Sequence, residues 1–277
     1  MSVSTRDVEA TPRDDQVEPL TRGVAYAIVP FLVVAFAVLY PWPGDTGRLF
    51  AWRIMPTVTA MVLGSAYLGG AYFFIRVARA RAWHTVKAGF VPVGLFASLM
   101  GISTILHWSR FNHARLAFWL WVLLYFTTPA LIFLVWLRNR RHDPPPVDGE
   151  AQLPPAAAWA IGAVGALAAG TAAFLYLAPG VAAGWWPWAL TPLTARVLGA
   201  IFCLGSAGLG ALVERRWSSA RIPFQVAGVM LVLILVAAVR GYAQFNPARP
   251  LTWTFLVGFI AVMVALAATY RRMERLG

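Results

Sequence analysis

The chain is poor in reactive groups. Its one cysteine, Cys203, lies inside an apolar run, which excludes an intramolecular disulfide and a thiolate metal cluster. Acids are scarce, 11 Asp and Glu against 23 Lys and Arg, and Lys87 is the only lysine. Eight segments contain no Asp, Glu, Lys, Arg or His at all: residues 24–40, 54–75, 88–106, 116–137, 156–178, 197–213, 222–239 and 251–269. Proton relays and ion-coupling sites place charges inside such segments, so their absence argues against a proton-driven pump.

Apolar residues are what the chain has instead. It is 60% hydrophobic with a mean hydropathy of +0.66, more than a soluble domain of 277 residues hides in a core. Each uncharged segment has about the 20 residues an α-helix needs to cross about 30 Å of hydrocarbon. The expected fold is therefore all-α, a polytopic integral membrane protein with eight transmembrane helices. The net charge of +12 then reflects topology and anionic headgroups, and no nucleic-acid partner is expected.

Basic residues sort onto alternate connections. Arg76, Arg79, Arg81, Lys87, Arg138, Arg140, Arg141, Arg215, Arg216, Arg221, Arg271, Arg272 and Arg275 fall on one side, and Arg48, Arg53, Arg110, Arg115, Arg196, Arg240 and Arg249 on the other. The richer side is assigned to the cytoplasm, together with both termini, in a bacterial-type cell (inner) membrane. Residues 1–22 are polar and acid-rich and read as a disordered cytoplasmic tail. No Ala-x-Ala-like site follows the first apolar run, which reads as a retained helix.

The sequence also matches itself. Residues 81–141 align without a gap on 215–275 and share Arg81/Arg215, Trp83/Trp217, Phe90/Phe224, Gly94/Gly228, Leu99/Leu233, Phe111/Phe245, Asn112/Asn246, Ala114/Ala248, Arg115/Arg249, Trp119/Trp253, Arg138/Arg272 and Arg141/Arg275. Upstream, LGSAYLGG at 63–70 resembles LGSAGLGA at 204–211, with glycines spaced for close helix approach. The expected organisation is two tandem parallel four-helix repeats, 23–141 and 156–277, joined by a Pro-rich, extended cytoplasmic linker at 142–155.

FNHAR at 111–115 and FNPAR at 245–249 each precede a helix on the less basic side. Asn112 and Asn246 are expected at the N-caps, with Pro247 at the first helical position and Phe111 stapled on Leu116. Arg115 and Arg249 then sit at the positive end of a helix dipole, where a cation is disfavoured. Asp45 is the one acid on that side, so the face should attract anions, and planar guanidinium groups suit phosphate. Arg53, Arg115, Arg196 and Arg249 are expected to converge on an anionic lipid headgroup, polyprenyl phosphate, solute or acidic partner. Trp42, Trp52, Trp108, Trp119, Trp185, Trp186 and Trp188 flank the same face and read first as an interfacial belt.

His107, Arg110, Asn112 and His113 make HWSRFNHAR the densest polar group on that side. No carboxylate or third histidine accompanies the two histidines, so neither a metal site nor acid-base catalysis is expected, and no cofactor. The leading expectation is a non-enzymatic multi-pass protein that binds or translocates an anionic or amphipathic ligand through Arg53, Arg115, Arg196, Arg249, Asn112, Asn246, Arg110 and His107. An accessory or scaffold subunit of a larger membrane complex is the alternative, and a membrane enzyme acting on a lipid phosphate the third.

Overall fold

A computed structural model describes residues 14–146 and 149–276. Among them are ten helices: α1 Pro19–Leu39, α2 Thr46–Leu49, α3 Thr57–Arg79, α4 Phe90–Leu106, α5 Leu116–Asn139, α6 Pro155–Leu177, α7 Pro179–Trp185, α8 Pro192–Leu204, α9 Trp217–Arg240 and α10 Pro250–Glu274. Eight are long and apolar enough to span a bilayer, α8 being extended to Leu212 by 3₁₀ turns. The protein is a multi-pass membrane protein.

The eight spans form an inner and an outer set. α3, α4, α8 and α9 lie inside, α3 against α9, α4 against α8, and α3 against α8. Outside them α1 packs on α3, α5 on α4, α6 on α8 and α10 on α9. In the most apolar 18 residues of each helix, 78% are buried in α3 and only 11% in α10, so α3 is a core element and α10 lies at the periphery of the bundle. Inner helices of the two chain halves thus meet crosswise. Two tyrosines of the outer helices add bonds between the halves: Tyr40, which caps α1, donates from Oη to Leu233 O (2.7 Å) on α9, and Tyr176 of α6 from Oη to Leu99 O (2.8 Å) on α4.

Small residues set the closest approaches. A Cβ on Gly64 would meet Tyr40 Cβ at 3.1 Å, and one on Gly199 would meet Tyr176 N at 3.1 Å. Gly205, which the match of 63–70 with 204–211 pairs with Gly64, is also a close approach, an added Cβ lying 2.7 Å from Ala168 Cβ. The latter segment forms the 3₁₀ turns Gly205–Leu212, where backbone meets backbone. A Cβ on Gly208 would lie 2.7 Å from Ile161 O of α6. Three glycines in eight residues weaken the α-helix there, and the tighter turn lets the chain lie on α6.

The residues before α1 and those of the linker are held against the bundle where they are described. Residues 1–13 lie outside the described residues, but 14–22 are placed: Val17 N donates to Arg81 O (3.3 Å), Trp83 N to Asp15 O (3.3 Å), and α1 already begins at Pro19. Asn139, fully buried, accepts Glu18 N at 3.0 Å and donates to Thr21 and Val135, tying the start of α1 to the end of α5. The linker is also held down. Leu153 is fully buried, Leu153 N donates to Arg215 O (2.8 Å) and Trp217 N to Ala151 O (2.8 Å).

Candidate functional site

The two ends of the bundle differ in how charge is balanced. At the end carrying residues 142–155, acids are matched to bases: Asp15 to His84 (2.6 Å), Glu18 to Arg138 and Arg141 (both 2.7 Å), Asp143 and Glu214 to Lys87 (2.7 and 2.9 Å), and Glu274 to Arg221 (2.6 Å). Arg216 is 3% exposed and bonds Glu214 at 2.7 Å. Burial works against the Glu214 carboxylate, but Arg216 and Lys87 outweigh it and hold its pKa down at about 2.

At the opposite end none of Arg48, Arg53, Arg110, Arg115, Arg196, Arg240 and Arg249 takes part in an ion pair among the described residues. Some are used by the backbone. Arg115 Nη1 donates to Arg48 O, Arg249 Nη1 to Ala183 O (3.2 Å) and Trp186 O, and Arg240 Nη1 to Tyr40 O (2.7 Å). Arg115 and Arg249 therefore bond separate carbonyls, Arg115 on α2 and Arg249 on and just after α7. Arg53 is exposed, with its stem over Gly47.

The repeated pentapeptide has a structural explanation different from capping by asparagine. The N-cap residues are Arg115 and Arg249, with helices beginning at Leu116 and Pro250. Asn112 and Asn246 lie one short turn earlier: Asn112 N donates to Ala51 O (2.9 Å), Asn246 N to Pro187 O (2.8 Å), and Asn246 Oδ1 accepts Ala248 N (3.0 Å). Leu116 is 72% exposed, so it is no staple for Phe111. Phe111 is buried 5.0 Å from Trp52 and 5.6 Å from Phe118, and Phe245 lies 5.1 Å from Trp188. Trp119 Nε1 and Trp253 Nε1 close the turn on His113 O (3.0 Å) and Pro247 O (3.1 Å). Trp52, Trp186 and Trp188 are core residues under these loops, whereas Trp42, Trp108, Trp119 and Trp185 are exposed and fit an interfacial belt.

The structure brings His107, Arg196 and Arg110 together. Arg196, on the first turns of α8, donates from Nη1 to His107 Nε2 at 2.7 Å. Burial lowers the His107 pKa below its usual 6.5, and the positive charges of Arg196 and Arg110 add to the effect. The imidazole is held neutral between two guanidinium groups. His113 turns away, stacked on Trp108 at 5.2 Å. Buried donors also lack acceptors at this end: Trp52 Nε1, Trp186 Nε1 and Arg115 Nε have no partner. Among the described residues no group of three His, Cys, Asp or Glu is placed to hold a metal ion.

Gln244 was not singled out by the sequence. Its Oε1 accepts Val58 N (2.9 Å) and its Nε2 donates to Thr57, so a loop of the second half caps α3 of the first. Only its offset of 134 from Arg110, within the gapless alignment, marks the position. No known family, no curated protein and no solved structure matches the chain.

Proposed function

We propose that this protein binds a phosphate-bearing anion, a lipid headgroup or a small solute, at the end formed by residues 107–115 and 241–249. That end faces out of a bacterial-type inner membrane, with both chain termini in the cytoplasm. The observation that carries the reading is where the acids lie: every ion pair among the described residues is at the other end, whereas here seven arginines face one acid, Asp45, and none forms an ion pair. His107, Arg196 and Arg110 form its centre, with exposed Arg48 and Arg53 drawing anions toward it. Arg115, Arg249, Asn112 and Asn246 build the loops.

Binding is favoured over translocation. The space between α1, α3, α4 and α5 is largely apolar, lined by residues such as Leu32, Phe74, Phe96 and Leu124, and no charged side chain lines it to receive an anion. The proposal includes two four-helix halves of common plan. Equivalent contacts recur in each: Asn112 to Ala51 and Asn246 to Pro187, Phe111 on Trp52 and Phe245 on Trp188, Tyr40 to Leu233 and Tyr176 to Leu99.

The test is imidazole NMR of His107 in phosphatidylcholine nanodiscs, titrated with inorganic phosphate and with sulfate. A saturable shift, abolished in Arg196→Gln, is expected. No shift with either anion would overturn the proposal and leave a docking subunit as the better account. Product formation from a lipid phosphate would replace it with an enzyme.

A further inference from the structure

The other end of the molecule carries an independent feature. Between α1 and α5 runs an open groove of about 410 Å³, walled by Leu20, Val24 and Phe31 on one helix and Leu123, Thr127 and Leu131 on the other. Leu20 to Phe31 spans about 16 Å at 1.5 Å per residue, close to half of the roughly 30 Å hydrocarbon thickness. The groove is thus one leaflet deep. Gly23 leaves its wall low: a Cβ there would meet nothing within 4 Å.

Charge at the mouth of the groove is unbalanced in one direction. Glu18, immediately before α1, accepts Arg138 Nε and Arg141 Nη2, both at 2.7 Å, so one carboxylate serves two guanidinium groups. Glu18 is 11% exposed while Arg138 and Arg141 are 48% and 63% exposed. Each guanidinium has five N–H donors, and most of these remain turned outward. Arg138 lies two helical turns beyond Leu131, about 10 Å, where the headgroup layer meets a helix end.

We propose that the groove is a specific site for one anionic phospholipid, its acyl chain between α1 and α5 and its phosphate on Arg138 and Arg141. The groove supplies apolar contact over the length of a single leaflet, and the paired arginines select the headgroup. Asn139 holds the mouth in shape by joining Glu18 N and Thr21 to α5. This site is separate from the His107 cluster and does not depend on it.

Native mass spectrometry of the full chain tests the proposal, with delipidated protein given phosphatidylglycerol or phosphatidylcholine. One tightly retained phosphatidylglycerol is expected. Gly23→Leu, which fills the groove, should lower retention about tenfold, and Ala27→Leu serves the same purpose if the first variant does not fold. Arg138→Gln/Arg141→Gln should remove the preference for phosphatidylglycerol while leaving some retention of either lipid. Unchanged retention in a folded groove-filled variant, or undiminished preference in the double variant, overturns the proposal.

Discussion

At the scale of single residues, the polar groups that matter most are those with no freedom left. Asn139 has both ends of its amide engaged at a fully buried position, so Asn139→Ala should cost about 2 kcal/mol by stranding Thr21 and the Glu18 amide. A lower melting temperature in detergent would check it. His107 is set against protonation: its folded pKa lies below the usual 6.5. Its contribution to stability is present above pH 6.5 and is lost as the pH falls through the lowered value. A bound anion reverses the sign by raising that pKa, so sulfate, whose charge is constant over this range, should bind more tightly as the pH falls from 7 toward 5. Equal affinity at both values would remove His107 from the site. The sequence made His107 and Arg196 visible separately, as polar residues on a sparsely charged side, but nothing in their spacing announced a contact between residues 89 apart. Asn112 and Asn246 looked like caps because cap preference is a local statistic. The turn they make delays the helix by three residues, a matter of the packing of Phe111 and Phe245 on buried tryptophans.

At the scale of elements, hydropathy alone located all eight spans, since an uncharged run of the right length has few alternatives. Their ends were less legible. The run at 197–213 gives no sign that α8 stops at Leu204 and tightens into 3₁₀ turns, because that change answers to the contact of Gly208 with Ile161 O. Gly208→Val should be among the most damaging apolar substitutions, costing about 3 kcal/mol or preventing assembly, as no flexible side chain is there to move aside. Gly170, which faces open space, is the control: Gly170→Ala should be neutral or slightly stabilising. Size-exclusion profiles and melting curves of the two variants make the comparison. The residues just before α1 follow the same rule: Asp15, Val17 and Glu18 stand in a polar stretch, yet each finds a partner on another element, and partners are invisible to composition.

At the scale of the whole molecule, the two tyrosine bonds tie an outer helix of each half to an inner helix of the other, the end of α1 to α9 and α6 to α4. Tyr40→Phe and Tyr176→Phe should each cost about 1 kcal/mol, and the double variant the sum of the two. Unequal or strongly non-additive losses, read from melting in detergent, would count against two halves of common plan. The charged end gives a second global signature. Glu214 is held at about pKa 2 by Arg216 and Lys87, so it stabilises the fold above pH 4.5, and that stability drains away as the pH falls toward 2. Glu214→Gln should flatten that part of the pH profile.

The crosswise pairing of α3 with α9 and α4 with α8 bears on how the chain is made. A ribosome delivers α3 and α4 to the membrane long before their partners exist, and Tyr40 must wait through 193 further residues for the carbonyl of Leu233. Until then the first half has faces shaped for another helix and covered only by lipid or by an insertion factor. Assembly is therefore late and concerted, completed when the last two spans arrive. A chain cut short before α9 would leave six inserted spans with α3 unpaired on one side, a natural object for membrane quality control.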